Sequence, residues 1–330
     1  MDYYYGALLG VFIGDAAGAT LEFMSGKRKS EEALIAMRMP GGGAMTLGKG
    51  QLTDDSELSI ASAYALANGF DINRLAAEYH DWFNSDPFDI GNTCRNAFCH
   101  TNADTMKESS LLRNMKSESN GALMKIMPLA IYTSNKQDSE LIRLVTLDTQ
   151  LSHPNKVTIS CNIVYALAIK YLLNNPKDNK GCISFIDSKI NELDLSLVVI
   201  EWYNASKTLN MDSYNALHQI GHVKHAFLFC FHFLNKNESF ELAIKQTLMQ
   251  GGDTDTNAAI VGGLLGALHG IEAIPMYMKT PVLAFDCSHA SNHHARPYKY
   301  NASHYKKLVN DILKYLLYKL TLSNYMLTTA

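Results

Sequence analysis

Gly251-Gly252-Asp253-Thr254-Asp255-Thr256-Asn257, with the small-residue run that follows it to Gly270, is the stretch on which the reading of this chain turns. Paired glycines let backbone approach a bound group closely, and two carboxylates and two threonine hydroxyls then lead into an apolar helix predicted over 257–270. About 200 residues earlier, Leu52-Thr53-Asp54-Asp55-Ser56 repeats this chemistry at the head of a second predicted helix, 56–68. Hard oxygen donors of this kind suit Mg²⁺, Mn²⁺ or Ca²⁺, and like charges so crowded call for a cation. Taken alone, Asp54-Asp55 reads as an acidic first turn favoured by the helix dipole. The glycine pair before Asp253 is what such a turn does not need.

Working outward, glycines recur every four residues at Gly6, Gly10, Gly14 and Gly18, and again at Gly262, Gly266 and Gly270. Each set gives its helix one smooth face, so the two helices are expected to pack closely and to meet near the metal. In a membrane such stripes would suggest dimerising spans, but these runs are short and flanked by acids. Apolar residues recur at three- and four-residue spacing over 56–68, 73–84, 158–173, 223–235, 239–249 and 305–320, while two-residue alternation is rare. The fold class is therefore all-α, a compact single-domain helical bundle. Turn signals such as Pro40-Gly41-Gly42-Gly43, Asp86-Pro87 and His153-Pro154 are too short for interdomain linkers. One domain over 1–330 is expected, with a core of about 3–280 and a C-terminal loop and closing helix over 281–330. The polar segment 174–194 reads as an insertion or mobile loop.

Two competing motifs fail on their own spacing. An EF-hand read from Asp253 has Ala258 at position six and Leu264 at position twelve, where Gly and Glu belong. A Walker A loop over 43–49 ends in Gly50 instead of Ser or Thr and follows no clear strand. Composition narrows the function further. A net charge of -3 leaves no basic stripe for nucleic acid and no polybasic membrane patch. Six cysteines without Cys-x-x-Cys spacing read as reduced, mostly buried thiols. Asp2 and Asp15 spoil a signal peptide over 6–13, and no segment approaches the roughly 20 apolar residues of a membrane span. The chain reads as cytoplasmic and monomeric.

Several motifs recur in an order shared by a known family. They are Gly6-Ala-Leu-Leu-Gly-Val-Phe-Ile-Gly-Asp15-Ala-Ala-Gly18 with Glu22, then Thr53-Asp54-Asp55, then Pro87-Phe88-Asp89-Ile90-Gly91-Asn92-Thr93. Ser119-Asn120-Gly121-Ala122-Leu123-Met124, Ser152-His153-Pro154 and the Gly251 stretch complete them. Together they resemble the ADP-ribosylglycohydrolases, a family that includes dinitrogenase reductase-activating glycohydrolase. The resemblance implies two Mg²⁺ or Mn²⁺ ions, with Glu22, Thr53, Asp54, Asp55, Asp253, Asp255 and Thr256 in the ligand positions. It places Asp89, Gly91, Asn92, Glu118, Ser119, Asn120, Gly121, His153 and His222 along an ADP-ribose cleft, and it implies hydrolysis at the distal ribose C1 with Glu22, Asp54, Asp55 and Asp89 as the catalytic acids and bases. The expected substrate is an ADP-ribosylated protein or another ADP-ribose conjugate, with mono-ADP-ribosyl-arginine first. A serine or O-acetyl ester linkage, a non-catalytic ADP-ribose binder and a dinuclear phosphoesterase are the alternatives.

The chain departs from the family pattern at three points. His222 in Gly221-His222-Val223 stands where an aromatic Tyr is usual, Ser56 replaces a Thr, and Lys125 replaces an Arg. An imidazole stacks less surface than a phenol and titrates nearer neutrality, which bears on substrate preference. His289, His293 and His294 lie in a turn-rich stretch and read as a solvated loop near the cleft, not a zinc site.

Overall fold

The computed structural model describes residues 1–314. Helices α1 (Asp2–Gly18) and α2 (Ser30–Ala36) lead into a loop over 40–52. They are followed by α3 (Asp54–Leu66), α4 (Ile72–Asn84), α5 (Asn92–Phe98) and α6 (Ala103–Arg113). Next come α7 (Met127–Tyr132), α8 (Asp138–Gln150), α9 (Lys156–Asn174), α10 (Asn179–Glu192) and α11 (Leu197–Ser206). The series closes with α12 (Val223–Lys236), α13 (Phe240–Met249), α14 (Thr254–His269) and α15 (Met276–Ala284). Residues 305–314 are helical, and the remainder of the helix expected over 305–320 lies outside the described residues. No strand occurs among the described residues, only isolated bridges at Gly42–Leu47 and Ser119–His222.

The glycine stripes form the axis of the molecule. A Cβ on Gly6 would stand 2.5 Å from the Gly266 carbonyl oxygen, on Gly10 2.2 Å from that of Gly262, on Gly14 2.0 Å from that of Ala258, and on Gly18 2.3 Å from that of Thr254. That register is antiparallel, with backbone pressed on backbone over the whole length of α1. The Thr254 hydroxyl donates to the Gly18 carbonyl at 2.8 Å and fixes the end of the match. Because the C-terminus of α1 meets the N-terminus of α14, the packing carries Asp15 to Asp253 and Asp255.

Other helices wrap this pair. Phe227, Phe229, Phe231 and Phe233 of α12 are fully buried, as are most residues of α9. By length and composition α9 alone among the described helices would suit a membrane span, yet 78% of that window is buried inside the protein. The segment 174–194 is not a loop. Asp178 caps the start of α10 by accepting from the Gly181 N–H at 2.9 Å, and Cys182, Ile186 and Ile190 bury one stripe at helical spacing. Two buried ion pairs tie the periphery to the core. Lys125, fully buried, meets Asp148 at 2.5 Å beneath the Tyr79 ring. Arg296 grips Glu57 and the Ser85 and Asp86 carbonyls, and so pins the 286–297 loop and the turn before Asp89 to α3.

Candidate metal and substrate site

Three helix termini converge at one place. Asp54 and Asp55 open α3, Asp255 sits in the first turn of α14, and Asp15 lies one turn from the end of α1. Helix N-termini favour anions, which helps two of these termini tolerate carboxylates. Carboxylate oxygens of Asp15, Asp55 and Asp255 lie within 4.8 Å of one another, as do those of Glu22, Asp89 and Asp255, so Asp255 belongs to both sets. Among the described residues, no Lys, Arg or His comes within ion-pair distance of any of them.

Such crowding shows in the acidities. Burial, then repulsion from neighbouring acids, pushes the Glu22 carboxyl up from 4.5 to about 8, against a hydrogen bond with Asp255. Burial raises Asp15 and Asp89 to about 6 and holds Asp54, Asp55 and Asp255 well above the usual carboxylate range. Glu22 Oε2 and Asp55 Oδ1 are buried without any hydrogen-bond partner. Orphaned, all-oxygen and anionic, this donor set fits a hard divalent cation.

A cavity of about 190 Å³ opens onto the acids. Glu22, Asp54, Asp89, Asp253, Asp255 and Thr256 line one side, and Gly91, Asn92, Ser119, Asn120, Gly121 and His153 line much of the rest. Thr53 and Asp55 are fully buried and do not reach its surface. The Asn120 amide donates to Asp253 Oδ2 at 2.8 Å, coupling the Ser119 motif to the α14 motif. His153 is fully buried, bonded through Nε2 to the Ser119 hydroxyl and through Nδ1 to that of Ser152, both at 2.8 Å. Burial lowers its pKa to about 3, so it serves as a neutral wall group.

Glu118 and His222 fall outside this cavity. They line an adjoining groove of about 480 Å³ that shares Ser119 and Gly221 with it. His222 Nε2 lies 3.0 Å from Glu118 Oε2, and its ring meets Trp202 edge-on at 5.5 Å. Burial lowers the His222 pKa from its ordinary value although Glu118 opposes it. His289, His293 and His294 lie in a loop, with His294 stacked on Phe88 beside Asp89 at 4.3 Å. A larger cleft of about 750 Å³ between Arg38, Lys49, Tyr277 and Asp286 contains none of the clustered acids.

Sequence reasoning passed over Thr93, Cys94 and Met124, which also line the cavity, and Asp15, which joins the acid cluster. The signal for Asp15 was an acid inside the apolar, glycine-striped body of a helix whose other acid, Asp2, lies at its start. The acidities also give a pH dependence. A carboxyl raised in the folded state stabilises it fully below its unfolded pKa, near 4, and loses that contribution as pH rises through the folded pKa, here about 6 to 8. In calorimetry, the metal-free melting temperature should therefore fall between about pH 5 and about pH 8.5. Added Mg²⁺ or Mn²⁺ should recover more at the higher pH, where protons compete less.

Comparison with known proteins agrees with this geometry. The family model described as ADP-ribosylglycohydrolase matches residues 1–299. ADP-ribosyl-[dinitrogen reductase] glycohydrolase of Rhodospirillum rubrum is 27% identical over 83% of this chain and 88% of its own. ADP-ribosylarginine hydrolase of Pseudomonas putida is 25% identical over 83% of this chain and 72% of its own. A solved structure titled ADP-ribosylglycohydrolase-related protein complex superposes with a TM-score of 0.73 at 22% identity, covering 95% of this chain and 98% of that one, which supports the fold. With a family model matched over nearly its whole length and relatives named for one reaction, this chain belongs to the ADP-ribosylglycohydrolase family and is a glycosyl hydrolase acting on ADP-ribosyl conjugates.

Proposed function

We propose that the protein releases ADP-ribose from mono-ADP-ribosylated arginine on a protein substrate and depends on Mg²⁺ or Mn²⁺ to do so. The observation that carries this reading is the pair of carboxylate sets joined at Asp255, with orphaned oxygens on Glu22 and Asp55, beside a cavity whose other wall is Gly, Asn and Ser. Relatives from Rhodospirillum rubrum and Pseudomonas putida, one of them named for arginine, support the linkage.

Glu22, Asp55, Asp253 and Asp255 would hold the cations, with the Thr53 and Thr256 hydroxyls beside them. Bound there, the ions would supply Lewis acidity to a water and to ribose hydroxyls. Glu22 and Asp54 reach the cavity whereas Asp55 lies beneath it, so one of the former accepts the proton of the attacking water. Attack at the anomeric carbon builds oxocarbenium character, which the surrounding carboxylates stabilise. Gly91, where a Cβ would meet nothing within 4 Å, would leave the backbone open to a pyrophosphate.

Asp89 is the acid for the guanidinium. It lines the cavity and makes no ion pair among the described residues, while Glu118, the other candidate, already faces His222. A carboxylate matches the guanidinium fork, and losing it should cost on the order of 10²-fold in kcat/KM. The experiment compares ADP-ribose release from matched arginine-linked and serine-linked peptides, with Mg²⁺, with Mn²⁺ and with chelator, for the wild type and Asp89→Ala. Loss on the arginine substrate with ADP-ribose binding retained is the expected result. Unchanged arginine turnover would remove Asp89 from this role, and release from the serine peptide alone would replace the linkage.

A further inference from the structure

Asp15 lies within the acid cluster, yet the proton donors around it set it apart from its neighbours. Its carboxylate accepts from the Thr53 N–H at 3.0 Å, the Thr53 hydroxyl at 2.7 Å, the Ser56 N–H at 3.2 Å and the Ser56 hydroxyl at short range. Oδ1 accepts from the Thr53 hydroxyl and Oδ2 from the Ser56 hydroxyl and N–H, with the Thr53 N–H between them, so both oxygens are engaged by donors. Asp55 Oδ1 and Glu22 Oε2, equally close to the centre, have no donor at all. Donors therefore divide the cluster into acids open to a cation and one acid that is closed to it.

We infer that Asp15 is a positioning residue, not a metal ligand: it grips the N-terminal turn of α3 through Thr53 and Ser56 and aims the Thr53 hydroxyl oxygen and the Asp55 carboxylate at the cation site. This rests on the metal-dependent reading above. A hydroxyl whose proton is committed to Asp15 keeps its oxygen lone pairs turned outward, and the Asp15 charge makes that oxygen a better donor. Rigid delivery follows from the fold, because Asp15 lies between Gly14 and Gly18, where α1 has no freedom to shift against α14. Ser56 contributes its hydroxyl to the grip and makes no claim on the cation.

The test measures Mn²⁺ binding to the metal-free protein by the EPR signal of free Mn²⁺, with circular dichroism as the check on fold, for the wild type, Asp15→Asn and Ser56→Ala. Asn presents a donor where the Thr53 or Ser56 hydroxyl also donates, so Asp15→Asn should weaken Mn²⁺ binding about 10- to 100-fold with the number of ions unchanged. Ser56→Ala leaves every proposed ligand in place and should still weaken binding several-fold. Should Asp15→Asn fail to fold, Ser56→Ala decides alone. Unchanged or tighter binding in Ser56→Ala overturns the assignment, and loss of one whole ion in Asp15→Asn overturns it by making Asp15 a ligand. Absence of Mn²⁺ binding in the wild type would sink the metal reading and this inference with it, whereas wild-type binding with both variants unaffected would sink this inference alone.

Discussion

Asp253→Ala combined with Asp255→Ala is expected to lower cation-dependent release of ADP-ribose by about 10³-fold or more, since a cation supplies several kcal/mol to the transition state and each 1.4 kcal/mol is a factor of ten. Asp255 is the residue common to both carboxylate sets, so its loss removes a donor that Asp55 and Glu22 share. Asp253 is held in place by the Asn120 amide, and its removal also frees the wall that carries Ser119. A second readout separates chemistry from folding. Asp255 is buried, and burial followed by repulsion from Glu22, Asp253 and Asp55 pushes its carboxyl well above the usual carboxylate range, so deleting it relieves the metal-free protein. Its metal-free melting temperature near pH 8 should stay level or rise while activity is lost. A sharp fall in melting temperature together with activity would show that these acids serve the fold instead.

Gly14→Ala should be about as damaging, by a different route. The new Cβ would stand 2.0 Å from the Ala258 carbonyl oxygen, 2.3 Å from its carbon and 2.6 Å from the Ala259 nitrogen, all of them backbone atoms of a helix that cannot yield locally. Alanine gains about 1 kcal/mol of helix propensity over glycine. Overpacking of this kind costs about 3 kcal/mol or more because two whole helices must part, and the cost therefore wins. Parting them also separates Asp15 from Asp255, so Mn²⁺ affinity should fall along with the melting temperature. Gly263→Ala is the useful contrast. Its obstacles are the side-chain ends of Met127, Tyr165 and Val11, which can turn aside. Equal destabilisation by both variants would refute backbone interlock as the reason for the stripe.

Much of this architecture was legible in the chain because its signals are local. Four-residue glycine spacing announced a close helix pair, and the two acidic threonine motifs announced where its end should lie. Helices α2, α5, α6, α7, α8, α11 and α15 were not anticipated, and α2, α5 and α7 have 7, 7 and 6 residues, too short for a periodic pattern to emerge. The stretch 174–194 misled for a different reason. Its surface residues are polar and turn-prone, while only three small or branched apolar residues mark the buried stripe of α10. At the site, residue type identified the acids but not their partners. Nothing in the spacing shows that Thr53 and Ser56 direct their protons at Asp15, or that Glu118 faces His222 in a separate groove, because both facts depend on helices that meet only in three dimensions.

The antiparallel seating of α1 on α14 also sets a timetable. At about 5–20 residues per second, a ribosome needs roughly 12–50 s after finishing α1 to deliver the helix it rests on. For that interval the nascent chain carries a smooth, apolar, glycine-lined helix without the helix its glycines interlock with, and half of an acidic site with no counterpart. Binding capacity therefore arrives in a single late step, when the residues after Gly252 leave the exit tunnel, and truncated products of this message would be inert and prone to capture by chaperones.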